Sequence, residues 1–283
     1  MDGRAAAPAA GTVLNALATG TGSAFAIGPE VTATVTLGKG SVSGTVDGVD
    51  DADTRLIERC VELVTETYGD SQGGTVRTDS EVPLASGLKS SSAAANATVM
   101  ATLSALDAAD EVTRTEAARL GVEAARDVGV TVTGAFDDAS ASMLGGVTVT
   151  DNDRDELLHR ATREWDVLVW TPPEQAFSSD ASVERCRRVA PVADLVADLA
   201  LDGEFKRAMT VNGFAFCSAL GFSPDPILNA LPDVTGVSLS GTGPSFVAVG
   251  DAMDLTAVRE RWDERPGTTL LTTTQNDGAR IDD

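Results

Sequence analysis

"EVPLASGLKSSSAAANA", residues 81–97, is the stretch on which the reading of this chain turns. Pro83 closes an apparent strand, Gly87 and Lys89 follow, and three serines open an alanine-rich run of helical character. The first N–H groups of a helix lack intrahelical partners, and the dipole leaves partial positive charge there. Small residues let an anion reach such backbone, and glycine permits the dihedrals that the loop demands. Ser90, Ser91 and Ser92 can cap the helix, contact phosphate oxygens or offer a hydroxyl to Mg2+, and Lys89 adds a cation. A capped helix without a ligand is the plain alternative. Three serines exceed what one cap requires, which favours an anion.

Spacing excludes two common phosphate loops. In G-x-x-x-x-G-K-[ST] the lysine follows glycine directly, whereas Lys89 follows Leu88 and no glycine stands five residues before Gly87. A dinucleotide fingerprint G-x-G-x-x-G opens a helix, whereas Gly241 and Gly243 run into Pro244, Ser245, Phe246 and a strand-like segment.

Outward from the loop, strands and helices mix without strict alternation, which argues for α+β layers in two halves. "EVTATVTL" (30–37) alternates as a half-buried strand, and 40–50 reads as a strand and turn. Helical spacing marks 51–69, "GTVRTDSEV" (74–82) reads as a strand, and a helix runs from the serines to about Leu106. Thr113 and Glu116 form a capping-box pair opening a helix over 113–129. A loop is expected over 130–146, then strands at 147–150 and 166–170. Helices at 182–201 and 203–220 follow, then strand–turn–strand over 234–250, a helix at 252–264, a strand at 267–273 and a polar tail. The join between the halves falls near 152–164.

The formal charge of −22 sets the chain against nucleic acid and anionic membrane as partners. Lysine occurs only at Lys39, Lys89 and Lys206, while Asp, Glu, Thr, Val and Ala abound. That composition suits solubility in concentrated salt, where repulsion is screened. Cys60, Cys186 and Cys217 are odd in number and far apart, as expected of reduced thiols in a cytoplasmic protein. Residues 5–28 are small and apolar, but Gly11, Gly20, Gly22, Gly28 and Asn15 interrupt them, so neither a membrane span nor a signal peptide is expected. His159 reads as a surface residue, Trp165 and Trp170 as core.

"VPLASGLKSSSAA" (82–94) resembles the phosphate-loop motif of the GHMP kinases, roughly P-x-x-x-G-L-x-S-S-[AS], with Lys89 in place of the usual small residue. "GVEAARDVGVTVTGAFDDASASMLGG" (121–146) and "SLSGTGPSFVAVG" (238–250) resemble that superfamily's second and third motifs. Together with "GTVLNALATGTGSAFAI" (11–27), they make the chain similar to the archaeal shikimate kinases of GHMP type over most of its length. The resemblance implies an α+β, GHMP kinase-like two-domain fold: an N-terminal ribosomal-S5-like α/β domain over 1–155 and a C-terminal ferredoxin-like α+β domain over 156–283. It implies ATP and Mg2+ as cofactors, shikimate as substrate, and is compatible with a homodimer.

By the same resemblance, nucleotide phosphates would lie against Pro83, Leu84, Ala85, Ser86, Gly87, Leu88, Lys89, Ser90, Ser91, Ser92, Ala93, Gly241 and Gly243. Ser91 and Glu123 would hold Mg2+, and Asp137 would be the base. Without it, Asp137 and Asp138 read as a solvated acidic turn and Glu123 as an exposed helix residue. Gly11, Thr12 and Asn15 are a candidate acceptor wall. One departure stands out. Many superfamily members carry a lysine after an N-terminal Ala-Pro, beside the catalytic aspartate, but "AAAPAAGTVLNA" (5–16) has none. Arg4 or Lys89 could supply that charge, or Asp137 could work without it. Homoserine kinase or another small-alcohol kinase is the enzyme alternative, and a nucleotide-binding regulator without catalysis is the alternative from another class.

Overall fold

In the computed structural model, residues 1–82, 86–131, 134–174 and 181–282 are described. The small apolar N-terminal stretch forms β1 (Asp2–Leu14) and the first part of β2 (Thr21–Gly38), an antiparallel pair. Alternation marks only 30–37 because most of the hairpin is buried on both faces, which removes the period-2 signal. Its alanines explain the close layering. Ala5, Ala6, Ala7, Ala9 and Ala10 are fully buried. A Cβ on Gly3 would lie 2.1 Å from the Ala101 carbonyl of the helix above.

β3 (Val42–Val46), α1 (Arg55–Tyr68) and β4 (Gly73–Ser80) make a β-α-β unit with parallel strands. α2 (Ser90–Ala105) lies on β1 and β2, buried nearly all round. α3 (Arg114–Asp127) starts with the expected reciprocal capping box of Thr113 and Glu116. The expected loop over 130–146 instead contains a helix, α4 (Phe136–Leu144). Gly134 (φ +84°) and Ala135 (φ 52°) turn the chain into it, and Gly145 (φ 71°) ends it. Glycines at both ends make the segment look like a loop, but Phe136, Ala139, Ser140, Ala141 and Met143 pack inward.

β5 (Val147–Asp151) and β6 (Glu156–Ala161) form a hairpin, and β7 (Asp166–Thr171) begins the second sheet. The helix expected over 182–201 is two: α5 (Val183–Arg187) and α6 (Ala190–Leu201). Pro191 cannot sit inside a helix and stands in the first turn of α6. α7 (Phe205–Leu220), α8 (Asp225–Ala230), β8 (Gly236–Leu239), β9 (Phe246–Gly250), α9 (Ala252–Asp263) and β10 (Thr268–Thr273) follow. The polar tail pairs as β11 (Arg280–Asp282) with β1.

Among the described residues the first sheet has the order β11-β1-β2-β4-β3, with β5 on the other end of β2 and β6 beyond it. The second runs β10-β7-β9-β8, antiparallel throughout. The 155/156 limit thus falls just before β6, which belongs with the first sheet, as does β11. Phe25 meets Trp165 edge-on at 5.6 Å, and Trp165 meets Phe205 at 6.2 Å, joining the two cores. His159 is half-buried and stacks on Phe205 at 6.2 Å, so it is more than a surface residue.

Candidate active site

The loop leading into α2 is held from both halves of the chain. The Ala10 amide donates to the Leu88 carbonyl at 3.1 Å, and the Ser245 amide donates to Ser86 O at 3.2 Å. Ser240 Oγ donates to Gly87 O at 2.8 Å. Gly87 has φ +83°, and a Cβ there would lie 2.4 Å from Ser240 O and 2.8 Å from Gly243 O. Only glycine fits that crossing. The turn over 240–245 is fixed in its turn by Thr12 Oγ1, which accepts from the Gly241 amide at 2.7 Å, and by Asn15 Nδ2, which donates to Gly241 O at 2.8 Å. Asn212 Oδ1 accepts from the Asn15 amide at 3.0 Å.

The helix cap differs from the serine cap the sequence suggested. Lys89 occupies the N-cap position in the left-handed region (φ 65°), with no side-chain cap, and the three serines form the first turn itself. Ser91 is exposed, Ser90 and Ser92 half-buried. The leading amides are therefore left for another acceptor.

Lys89 turns inward. Its side chain is 8% exposed and its Nζ stands 2.8 Å from Asp138 Oδ1. Of the two cations considered for the charge that the N-terminal stretch lacks, Lys89 thus stands on Asp138, whereas Arg4 is an exposed residue paired with Asp282 at the sheet margin. Burial and the neighbouring negative charge of Asp137 push Asp138 up to about 7, against the opposing pull of Lys89.

Asp137 sits beside the half-buried Asp138, fully inside the fold and in a different environment. Asn152 Nδ2 donates to Asp137 Oδ1 at 2.7 Å, and the Asp137 amide donates back to Asn152 Oδ1 at 3.0 Å. Thr150 Oγ1 donates to the same Asn152 oxygen at 2.8 Å. Ser140 Oγ donates to Asp137 O at 3.1 Å. Strand β2 presses on the carboxylate, because a Cβ on Gly22 would lie 2.6 Å from Asp137 Oδ2.

Two clefts open on this ground. One, of about 460 Å³ and open to solvent, runs from Ser91, Ser92 and Ala95 to Leu56 and the α3 residues Gly121, Val122 and Ala125. The other, of about 410 Å³, is bounded by Asn15, Leu17, Lys89, Asp137, Gly241 and Thr242. Thr131, Ala135 and Asp138 line both.

Comparison with known proteins gives the family and the fold. The GHMP kinases N terminal domain matches residues 55–146. A shikimate kinase of Halobacterium salinarum is 64% identical over 99% of this chain and 99% of its own length. A shikimate kinase of Methanococcoides burtonii is 50% identical over 98% and 97%. The chain belongs to the GHMP-type shikimate kinase family. As in other GHMP kinases, the fold is shared widely: a homoserine kinase structure from Cytophaga hutchinsonii has a TM-score of 0.79 at 17% identity, covering 99% of this chain and 97% of that one. A mevalonate kinase structure has a TM-score of 0.74 at 13% identity, covering 98% and 100%.

Within this shikimate kinase family member, the residues named from sequence are distributed unevenly. Ser86, Gly87, Leu88 and Lys89 meet Gly241 and Gly243 as one unit, with Ser90, Ser91, Ser92 and Ala93 opening α2 beside it. Pro83, Leu84 and Ala85 lie outside the described residues. Thr12 and Asn15 reach the site by clasping Gly241. Gly11 instead packs on the Phe25 ring. Glu123 is exposed on α3 and lines neither cleft, since Gly121, Val122 and Ala125 face inward and each helical step turns about 100°. Among the described residues no group of three or more His, Cys, Asp or Glu side chains could hold a metal by itself. Sequence reasoning passed over Gly22, Asn152 and Asn212. The run Asp151-Asn152-Asp153 looks like a turn, and nothing local shows that its asparagine faces Asp137.

Proposed function

We propose that this protein transfers the γ-phosphoryl group of ATP to the 3-hydroxyl of shikimate, giving shikimate 3-phosphate and ADP. The observation that carries the reading is the junction of the two clefts: one adjoins the uncapped start of α2, the other holds Asn15 and the Gly241 turn, and the half-buried Asp138 carboxylate lines both, next to the buried Asp137. A kinase needs a phosphate cradle and an acceptor pocket that open on one proton acceptor.

The polyphosphate would lie across the loop over 86–89 and the first amides of α2, where backbone N–H groups and the helix dipole favour negative charge. The polar side chains at the phosphate cleft are the hydroxyls of Ser91, Ser92 and Thr131 and the carboxylate of Asp138, hard oxygen ligands of the kind that Mg2+ prefers, and Mg2+ ordinarily keeps waters and phosphate oxygens as its other ligands. Ser91 would therefore hold it, and when bound it supplies positive charge against the phosphates. Lys89 adds charge from the protein side. Residues of the Asp137–Asp138 turn receive the proton of the attacking hydroxyl. Asn15 and the Gly241 turn form the wall against which the acceptor is oriented.

The test is an ADP-release assay in concentrated KCl with shikimate, homoserine and mevalonate supplied separately. Turnover with shikimate and not with the others is expected. Turnover with homoserine or mevalonate and none with shikimate would overturn the substrate assignment.

A further inference from the structure

We infer that the two adjacent aspartates divide the work of transfer: Asp138 takes the proton from the acceptor hydroxyl, and Asp137 is a positioning residue that fixes the turn carrying it. The inference deepens the kinase reading above and depends on it. It also moves the base one residue along from Asp137, the position to which the resemblance assigned it.

Three observations separate the pair. First, Asp138 lines both clefts, whereas Asp137 borders only the acceptor cleft. A proton acceptor in a direct transfer must reach the hydroxyl while it faces the phosphoryl group, so it belongs at the junction. Second, Asp137 is committed elsewhere. Its Oδ1 accepts from Asn152 at 2.7 Å, its amide donates to the same side chain at 3.0 Å, and its Oδ2 lies against the backbone of Gly22. Consecutive residues of a helix point about 100° apart, so an Asp137 locked against β2 and Asn152 fixes where Asp138 must point. Third, the cation is on Asp138. Lys89 reaches its Oδ1 at 2.8 Å and leaves Oδ2 for the proton.

The acceptor O–H bond breaks as its oxygen bonds to the γ-phosphorus. The bond from that phosphorus to the bridging oxygen breaks, and its electron pair leaves on ADP. The proton ends on Asp138. Neutralising Asp138 frees the Lys89 charge at the moment when negative charge is shared among the phosphoryl oxygens. Lys89 therefore has two successive partners. The charged groups that act on Asp138 are Lys89, from the loop into α2, and Asp137 on its own helix.

The experiment compares Asp138→Asn, Asp137→Asn and Asn152→Ala in the full chain with ATP, Mg2+ and the alcohol that the wild type phosphorylates. Asp138→Asn is expected to lower kcat about 1,000-fold with KM for both substrates within about threefold, the signature of a lost proton acceptor. Asp137→Asn keeps an oxygen for Asn152 and is expected to hold kcat within about tenfold while raising KM for the alcohol. Asn152→Ala should reproduce that KM-weighted effect, and adding it to Asp137→Asn should cost little more, because both act through one contact. A kcat loss for Asp137→Asn equal to or larger than that for Asp138→Asn overturns the proposal. Should Asp138→Asn fail to fold, Asp137→Asn alone decides, with a kcat loss beyond about 100-fold counting against. Wild-type turnover of another alcohol in place of shikimate would sink the substrate reading and leave this comparison standing. Wild-type transfer to no alcohol would sink both.

Discussion

The phosphate loop and the acidic turn of α4 meet at the same junction, yet they are built in opposite ways. The loop over 86–89 and the turn over 240–245 are held largely through backbone, carbonyl against amide or hydroxyl, with glycines where the two chains cross. The acidic turn is held by side chains: Lys89 on Asp138, Asn152 on Asp137, Thr150 on Asn152. A site made of backbone is written in small residues that stand together. A site made of side chains is assembled from partners far apart in sequence, and its parts look ordinary one at a time.

The difference can be broken most severely on the backbone side. Gly87→Val would place a branched side chain within reach of Ser240 O and Gly243 O at a φ of +83°. We expect the loop and the Gly241 turn to separate, with a stability loss of about 3 kcal/mol or more and ATP binding lost, read by thermal unfolding and nucleotide titration. Binding retained within about tenfold would show that the two segments do not depend on one another.

On the side-chain side, Asn152→Ala leaves a buried carboxylate oxygen and a buried amide without their partner. A stability loss of about 1–3 kcal/mol is expected, measured by denaturant unfolding, with ATP affinity little changed. Loss of nucleotide binding in this variant would mean that the acidic turn also builds the cradle.

A pH series sharpens the same contrast. With Asp138 raised to about 7, it holds its proton at lower pH and cannot accept another. Activity should therefore rise with pH through about 7, and Asp138→Asn should erase that limb. Folding stability should move the other way. The ordinary aspartate value is 3.8, so the folded chain retains a proton that the unfolded chain has released, and Asp138 costs stability as pH climbs from that value towards about 7. A flat activity profile across this range would remove Asp138 from the proton transfer.

The smallest effect is expected at Glu123. Its exposed place on α3, away from the inward-facing Gly121, Val122 and Ala125, predicts that Glu123→Gln changes kcat less than about twofold and stability within about 0.5 kcal/mol. A hundredfold loss restored by raised Mg2+ would return to Glu123 the metal-binding role that the resemblance implies.

What could be read from sequence follows the same division. The helix opened by Ser90, the capping box at Thr113, the strand over 166–170 and the strand–turn–strand over 234–250 rest on local chemistry, and each stands where the residues put it. β1 escaped because an all-buried alanine strand has no alternation to see. α4 reads as a loop in sequence because glycines flank it and much of its helical face is alanine and serine, too small to mark a period. At the site, the small residues of the loop and of the Gly241 turn announced themselves. Lys89 was visible as a rare cation, but its pairing with Asp138 was not, because that contact depends on how α2 and α4 pack. Asn152 gave no local sign, and Gly22 was lost among the other glycines of its stretch.

The most direct measurement is a crystal structure with a non-hydrolysable ATP analogue and shikimate bound together. The account predicts the triphosphate over the amides that open α2, and the shikimate 3-hydroxyl within about 3 Å of an Asp138 oxygen. A triphosphate lodged elsewhere, or a 3-hydroxyl resting on Asp137 with Asp138 turned aside, would contradict it.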